Sequence, residues 1–468
     1  MKNSILLLFL FVTNFSHAKI WLPTIISDNM VLQQESIATI WGWSTDTYSD
    51  EQIIVSGSWS ETKVTTKTDQ GKWSVQLPTP PAGGPFTLTI TGHETIRLQN
   101  VMIGELWICS GQSNMEWTPL QNLANAEEEI QQAQYPGIRF FFLPKHKSPY
   151  PQDDTPGHWV PCSPETVKMA SSVSYFFGRE LNKKLGIPIG LINTSWGGTP
   201  IETWIPKELI LGDWELKAES EKLARYEGWP KELGVTYNAM IHPLINFDIA
   251  GTIWYQGESN RNNAFSYYQS FPLLIKSWRN AWKKEFPFYF VQIAPYKYDA
   301  GDPVDAAVVR DAQLNTMQEV SNTGMVVTND IGDLEDIHPA NKQDVGKRLA
   351  LWALAKTYGR TDVVYSGPIF KSMEIRESKA IISFDYADNG LIQKGVNLRE
   401  FLIAGADKTF HPAKAAIEGN TVVVSSVEVP KPVAVRFAFT NIAQPNLFNT
   451  TGLPASAFRT DDWEIKIE

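Results

Sequence analysis

Cysteine is almost absent from this sequence: Cys109 and Cys162 stand alone among 468 residues. A disulfide framework is thereby excluded, and at most one bridge can form. Cys109 closes an apolar run, so a buried free thiol is its expected state. No Cys-x-x-Cys pair occurs, and no two histidines sit at helical spacing, so no metal site is expected. No glycine-rich loop opens a helix in the phosphate-binding pattern, and no cofactor is expected. Basic charge is in deficit: 41 Lys and Arg face 51 Asp and Glu, a net −10. That balance excludes the basic face that nucleic-acid binding needs. Beyond residue 18 no apolar run is long enough for a membrane helix, so no membrane partner is expected. Internal repeats and low-complexity tracts are also missing.

What is present begins at the N-terminus. Lys2 precedes an apolar run over 5–12, and Ser16-His17-Ala18 closes it. This is the pattern of a cleavable export signal, with cutting expected after Ala18 and a periplasmic or extracellular destination. Lys19 rather than Cys follows the cut, so a lipid anchor is not expected. The length suits two or three domains. Tryptophan is abundant, at 17 residues, which fits either β-sandwich cores or a cleft that takes the apolar faces of sugar rings.

Texture divides the chain into residues 1–18, 19–100, 101–360 and 361–468. The second part shows short alternating runs broken by turn residues, as in Ala38-Thr39-Ile40-Trp41-Gly42-Trp43, and reads as a small β-sandwich. In the third, apolar runs at 105–109, 138–143, 187–194, 250–255, 288–294 and 325–328 alternate with helix-like segments. The spacing predicts helices over 171–185, 267–282, 307–320 and 342–358, the last with Lys347, Arg348 and Lys356 on its polar side. Such alternation implies a doubly wound, mostly parallel α/β sheet. The fourth part returns to β texture and reads as a second sandwich-like unit.

Open α/β sheets bind ligands beyond the carboxyl ends of their strands. Four of those ends carry small or reactive residues: Ser110-Gly111-Gln112-Ser113-Asn114-Met115, Ser195-Trp196-Gly197-Gly198-Thr199, Gln256-Gly257-Glu258-Ser259-Asn260, and a loop with Asp330, Asp333, Glu335, Asp336 and His338. Taken singly, Ser113 reads as a turn or cap serine, Gly197-Gly198 as a turn, Gln256 as a loop residue and His338 as a loop histidine. Together they supply what serine ester hydrolysis requires: a nucleophile, a base with pKa near ~6.5, and donors for an oxyanion. Those donors are the Ser113 N–H, an N–H of Gly197 or Gly198, and the Gln256 amide. Asn114, Glu116 and Glu258 are loop anchors or substrate contacts. His242 is the one rival base of the α/β region. Arg310 is a candidate for a substrate carboxylate and equally for pairing with Asp311. Asn449-Thr450-Thr451 fits a glycosylation sequon.

Gly111-Gln112-Ser113-Asn114-Met115, Ser195-Trp196-Gly197-Gly198-Thr199-Pro200-Ile201-Glu202, Trp254-Tyr255-Gln256-Gly257-Glu258-Ser259-Asn260 and Asp336-Ile337-His338-Pro339 resemble the sialate O-acetylesterase family of SGNH (GDSL-like) hydrolases. The resemblance runs over nearly all of the chain after residue 18, from Asp28-Asn29-Met30-Val31-Leu32-Gln33 onward. It implies a flavodoxin-like α/β/α core between two β-domains, with Ser113 as nucleophile, His338 as base and a glycine of Gly197-Gly198 as an oxyanion donor. The sequence departs from the superfamily pattern twice. Gln256-Gly257-Glu258 stands where an Asn donor is usual, so Gln256 is expected to take the amide role. Glu335, not Asp, stands three residues before His338, so the orienting acid is Asp336 by preference, Glu335 or Glu258 otherwise, or none. The implied activity is removal of O-acetyl groups from sialic acids. Other readings are an acetylxylan or other glycan acetylesterase, a lipase-like hydrolase, or an inactive carbohydrate-binding protein. Neither the sugar nor the oligomeric state follows from the sequence.

Overall fold

The computed structural model describes residues 19–45, 50–223, 228–298 and 303–467, and the expected export signal lies outside them. The fold is mixed α/β, with a central mixed sheet and further sheets at both ends of the chain. Its central strands are β1 (Thr95–Gly111), β2 (Tyr135–Phe142), β3 (His158–Cys162), β4 (Ile189–Asn193), β5 (Gly251–Tyr255), β6 (Phe288–Val291) and β7 (Thr323–Val326). Their spatial order is β3-β2-β4-β1-β5-β6-β7. From β2 to β7 neighbours are parallel, and β3 closes one edge antiparallel to β2. Parallel strands covered on both faces read as continuous apolar runs, and all five residues of β5, Gly-Thr-Ile-Trp-Tyr, are buried.

The four longest helices are those the apolar spacing predicts, within a few residues, and the short helix that opens at Ser113 is not among the expected ones. That short helix is α1 (Ser113–Glu116), and the four expected ones are α2 (Ser172–Leu185), α3 (Tyr267–Trp282), α4 (Asp305–Glu319) and α5 (Lys342–Trp352). Helix α2 starts at Ser171, whose side chain accepts the Ser174 N–H at 3.1 Å, and stops at Gly186 in the left-handed conformation. Helix α3 buries Phe271, Leu274, Ile275 and Trp278 along one stripe. Helix α5 differs from expectation in two ways. It gives way to a wider turn over Ala353–Thr357, and Arg348 is buried rather than on a polar face. Its guanidinium forks onto Asp330, with both N–O distances 2.7 Å. Asp330 is thus held by a bidentate pair.

Strand β1 is the spine of the molecule. Its first half pairs antiparallel with Gly83–Thr91, and its second half lies between β4 and β5. Strands Val31–Gln33, Gln52–Gly57 and Lys63–Lys67 join the same 11-stranded sheet. The hydrogen-bonded ladder therefore continues through residue 100, where texture alone sets a boundary. At the other end of the chain lie two four-stranded sheets; Arg459 of one pairs with Asp311 of the core at 3.1 Å, and the Ala455 carbonyl just before that strand accepts Asn329 Nδ2 at 2.8 Å. The largest buried tryptophans, Trp107, Trp204, Trp254 and Trp278, fill the α/β core rather than the end sheets. Both cysteines are free and buried. Asn449 of the sequon is buried too, and its amide donates to the Ser366 carbonyl at 2.9 Å, so the folded chain does not present it for glycosylation. No described helix is long and apolar enough to cross a membrane.

Gly111 ends β1 with φ +140°, and a Cβ there would lie 2.1 Å from the Tyr255 carbonyl oxygen. Gly111→Ala is expected to destabilise the protein by about 1–3 kcal/mol, read as a lowered melting temperature; an unchanged melting temperature would show that the strand end relaxes freely.

Candidate active site

All four reactive loops converge beyond the carboxyl edge of the central sheet. Ser113 is the first residue of α1, two residues past the end of β1, so its N–H has no acceptor within that helix. The turn before it is pinned from both sides. The Gln112 N–H donates to the Tyr255 carbonyl at 2.9 Å, and the Trp196 N–H donates to the Gly111 carbonyl at 3.0 Å. Gln112 Oε1 accepts from the N–H groups of Gly257 and Ser259 at 3.3 and 3.2 Å. A cleft of about 420 Å³ opens over Ser113, lined among others by Trp117, Gly197, Trp229, Glu258, Arg261 and His338.

Ser113 Oγ lies 2.9 Å from His338 Nε2, a hydrogen bond between residues 225 positions apart. The Trp117 ring stacks on the imidazole with centroids 3.8 Å apart and planes 16° off parallel. Burial pushes the His338 pKa down to about 4; the nearby Lys342 ammonium pushes the same way, against the carboxylates of Asp336 and Glu116. Asp336 accepts the His338 backbone N–H at 2.8 Å, while its Oδ1 stands 3.6 Å from His338 Nδ1. That separation exceeds a hydrogen bond. Asp336 thus holds the backbone of His338 and acts on the ring through charge. Its other oxygen accepts from Asn122 Nδ2 at 3.1 Å. Glu335 is exposed, and Glu258 is bonded elsewhere, so neither orients the imidazole.

Asn114 explains how the loops hold their places. Its side chain is buried, and its Nδ2 donates to Glu258 Oε1 at 2.7 Å and to the Ile337 carbonyl at 3.0 Å. Its Oδ1 accepts from Lys342 Nζ. One amide therefore links the nucleophile's helix, the loop after β5, the residue before His338 and the first turn of α5. Lys342 is only 3% exposed. Burial pushes its ammonium pKa down to about 7, against the carboxylates of Glu258 and Asp336. Burial likewise raises the Glu258 carboxyl, with Asn114 and Lys342 opposing. Asn114 and Glu258 are loop anchors, and Glu258 also lines the cleft.

The oxyanion donors require a correction. Gln256 is fully buried and does not line the cleft. Its two amide hydrogens go to the Thr199 carbonyl at 3.2 Å and to Asn260 Oδ1 at 2.7 Å, and its Oε1 accepts from the Tyr267 hydroxyl at 2.8 Å. With both donors engaged, Gln256 supports the loops from below and offers nothing to an oxyanion. Of the two glycines, Gly197 faces the nucleophile: a Cβ on it would lie 3.2 Å from Ser113 Cβ. Gly198 serves the turn, with φ +73° and a Trp229 ring atom 2.3 Å from where its Cβ would be.

The remaining candidates fall outside the cleft. His242 lines a separate cavity beside Trp41, Trp43 and Trp73, and its Nδ1 contacts the Gln152 carbonyl at 2.9 Å. Arg310 is buried and donates to the Thr440 carbonyl, whereas Asp311 pairs with Arg459. Among the described residues no cluster of His, Cys, Asp and Glu is arranged to hold a metal. Trp117, Lys145, Trp229, Arg261, Tyr298 and Lys342 are site residues that the sequence did not single out. Trp117 follows the nucleophile's motif closely enough to be found by proximity, and the others carry no local signal. Arg261 lies over the Tyr298 ring at 3.4 Å, and its Nη1 is 3.6 Å from Asp305.

Residues 103–355 match the family described as carbohydrate esterase, sialic acid-specific acetylesterase. Sialate O-acetylesterase from Homo sapiens is 33% identical over 407 residues, covering 80% of this chain and 77% of that protein. The Rattus norvegicus protein of the same name is 31% identical over 433 residues, covering 80% of each. A carbohydrate acetylesterase from Xanthomonas citri, known as a crystal structure, is 37% identical with a TM-score of 0.87, covering 95% of this chain and 100% of that one.

Two consequences of the geometry can be measured. A neutral imidazole is required of a base, so kcat/KM is expected to fall only as pH drops through about 4, well below ordinary histidine. Lys342→Met removes one of the two downward influences, so it should move that limb to higher pH. A wild-type limb near pH 6.5 would contradict the buried, tryptophan-covered imidazole.

Proposed function

Because the chain belongs to the sialic acid-specific acetylesterase family of carbohydrate esterases and is a carboxylic-ester hydrolase, we propose that it removes O-acetyl groups from sialic acids through Ser113 and His338. The observation that carries this reading is the 2.9 Å contact between Ser113 Oγ and His338 Nε2 at the floor of an open cleft. His338 takes the Ser113 proton as Oγ attacks the acetyl carbonyl. The tetrahedral oxyanion is met by the N–H groups of Ser113 and Gly197. His338 returns the proton to the departing sugar oxygen, leaving an acetyl-serine. Water, deprotonated by the same imidazole, then releases acetate. Asp336 positions His338 and stabilises its charged form at the turning points of both steps.

The cleft lining is mixed in charge and partly aromatic. Two cations, Lys145 and Arg261, line it together with two carboxylates, Glu116 and Glu258, and each cation is paired, Lys145 with Glu116 and Arg261 with Asp305. Trp117 and Trp229 offer apolar faces to a sugar ring, and the names of the mammalian relatives point to sialic acid as that sugar. A second reading, another acetylated glycan, draws on the Xanthomonas citri relative, whose description names a carbohydrate acetylesterase without a sugar. The order of the central strands and the helices between them support a flavodoxin-like SGNH core over residues 101–360, and the paired sheets before and after it support sandwich-like ends. We further propose that residues 1–18 export the protein, on the strength of their composition.

Acetate release from O-acetylated sialic acid and from acetylated xylan tests the reading. Wild type is expected to release acetate from the former, and Ser113→Ala and His338→Ala each to lose roughly 10⁴–10⁶-fold in kcat. Asp336→Ala should lose less than either, since its contact with the ring is long. Activity on xylan alone would move the substrate to the second reading, and an active Ser113→Ala would refute the mechanism.

A further inference from the structure

The oxyanion site is not empty of charge. The Gly197 N–H donates to Glu116 Oε2 at 2.5 Å, and Lys145 Nζ holds Glu116 Oε1 at 2.8 Å. The position a Gly197 Cβ would take is 3.2 Å from Glu116 Oε2 and 3.2 Å from Ser113 Cβ. The carboxylate oxygen and the nucleophile therefore stand on the same side of Gly197. An acyl oxygen developing negative charge needs that N–H, and it cannot share the donor with a second negative oxygen at this range. Glu116 is well placed to leave. It is the last residue of the short α1 helix, its side chain is 24% exposed, and its tether Lys145 is 47% exposed.

We propose that Glu116 is a displaceable plug of the oxyanion site, and that its displacement makes the enzyme selective for acetylated sugars over simple acetyl esters. The inference rests on the reading of Ser113 as nucleophile and Gly197 as donor. In the free enzyme Glu116 satisfies an N–H that would otherwise lack a partner beside the nucleophile, which is unfavourable. A sugar that fills the cleft contributes binding free energy from parts remote from the ester, and that energy drives Glu116 off Gly197. A simple ester has no such remote contacts. It meets a site in which only the unplugged fraction is competent, and its apparent rate is lowered by that fraction. Glu116 is thus a positioning residue that acts through the Gly197 N–H, with no covalent part in the reaction.

The test compares full-length wild type, Glu116→Gln and Glu116→Ala on three probes: p-nitrophenyl acetate, O-acetylated sialic acid, and the rate at which a fluorophosphonate labels Ser113. Glu116→Ala is expected to raise kcat/KM for p-nitrophenyl acetate and the labelling rate by roughly 3–30-fold. For acetylated sialic acid the gain should fall on KM, because bound sugar has already displaced Glu116 and kcat then gains nothing, so the preference in turnover at saturating sugar narrows. Glu116→Gln keeps shape and an acceptor without the charge, and should fall between. It also preserves the test if the alanine variant does not fold. Lys145→Met, which loosens the plug without touching Gly197, should shift the same way by less. A purely structural Glu116 would slow all three probes together, and that result, or no change in either simple probe, overturns the plug. If wild type neither hydrolyses the esters nor labels at Ser113, the nucleophile reading itself has failed and the plug falls with it. If wild type labels and the variants do not accelerate, only the plug falls.

Discussion

The site depends on one buried amide. Asn114 lies between an ammonium and a carboxylate, Lys342 and Glu258, that are both taken out of water. Its carbonyl oxygen meets the cation and its N–H group meets the anion, so the amide dipole runs in the direction both charges favour. Burying either ion without such compensation is strongly unfavourable, and breaking a buried pair by removing one member typically costs about 3–5 kcal/mol. The second N–H of Asn114 goes to the Ile337 carbonyl, next to the base. The separation of Ser113 and His338 is therefore set by a network of satisfied polar groups rather than by two free loops.

The same burial shapes the chemistry. The Trp117 ring covers one face of His338, and Lys342 adds positive charge nearby. Burial and the Lys342 charge disfavour the imidazolium, so His338 stays neutral far into acid. Asp336 opposes them from 3.6 Å, close enough to stabilise the charged form through space yet bonded first to the backbone. Beneath the cleft a second polar layer carries the load of the loops. Glu202 receives Asn260 and Asn263, Asn260 receives Gln256, and Gln256 receives Tyr267. In that layer Gln256 braces the floor of the cleft.

The topology makes the convergence rigid. Strand β1 carries Ser113 at its carboxyl end and the N-terminal β-layers at the other. Arg459, Ser456 and the Ala455 carbonyl of the C-terminal sheets bond to Asp311, Gln292 and Asn329 of the core. Four of the N-terminal strand segments are thus part of the central sheet, while the C-terminal segment is joined to the core by hydrogen bonds and an ion pair.

Much of this was legible along the chain because it is local. Apolar periodicity marked α3 over its full length and put five of the seven central strands within a few residues, since a helix stripe or a two-sided strand is written in neighbouring side chains, but it missed the edge strand β3 and the first half of β1. Ser113, Gly197 and His338 stood out because small and reactive residues follow apolar strands, and the strand order brings those ends together. Partners far apart in sequence were not legible. Nothing near residue 342 says that its ammonium is buried against Asn114, and nothing near residue 348 says that Arg348 turns inward to Asp330. Gln256 misled because an amide in a loop has the right chemistry, and only its neighbours show that both hydrogens are engaged. The sequence by itself determined the alternation of elements, the order of the reactive loops and the residue types able to attack and to accept a proton. Tertiary structure alone decided which donors remain free, which carboxylate reaches the imidazole and which charges are buried, because each depends on groups that meet only when the strands pack side by side.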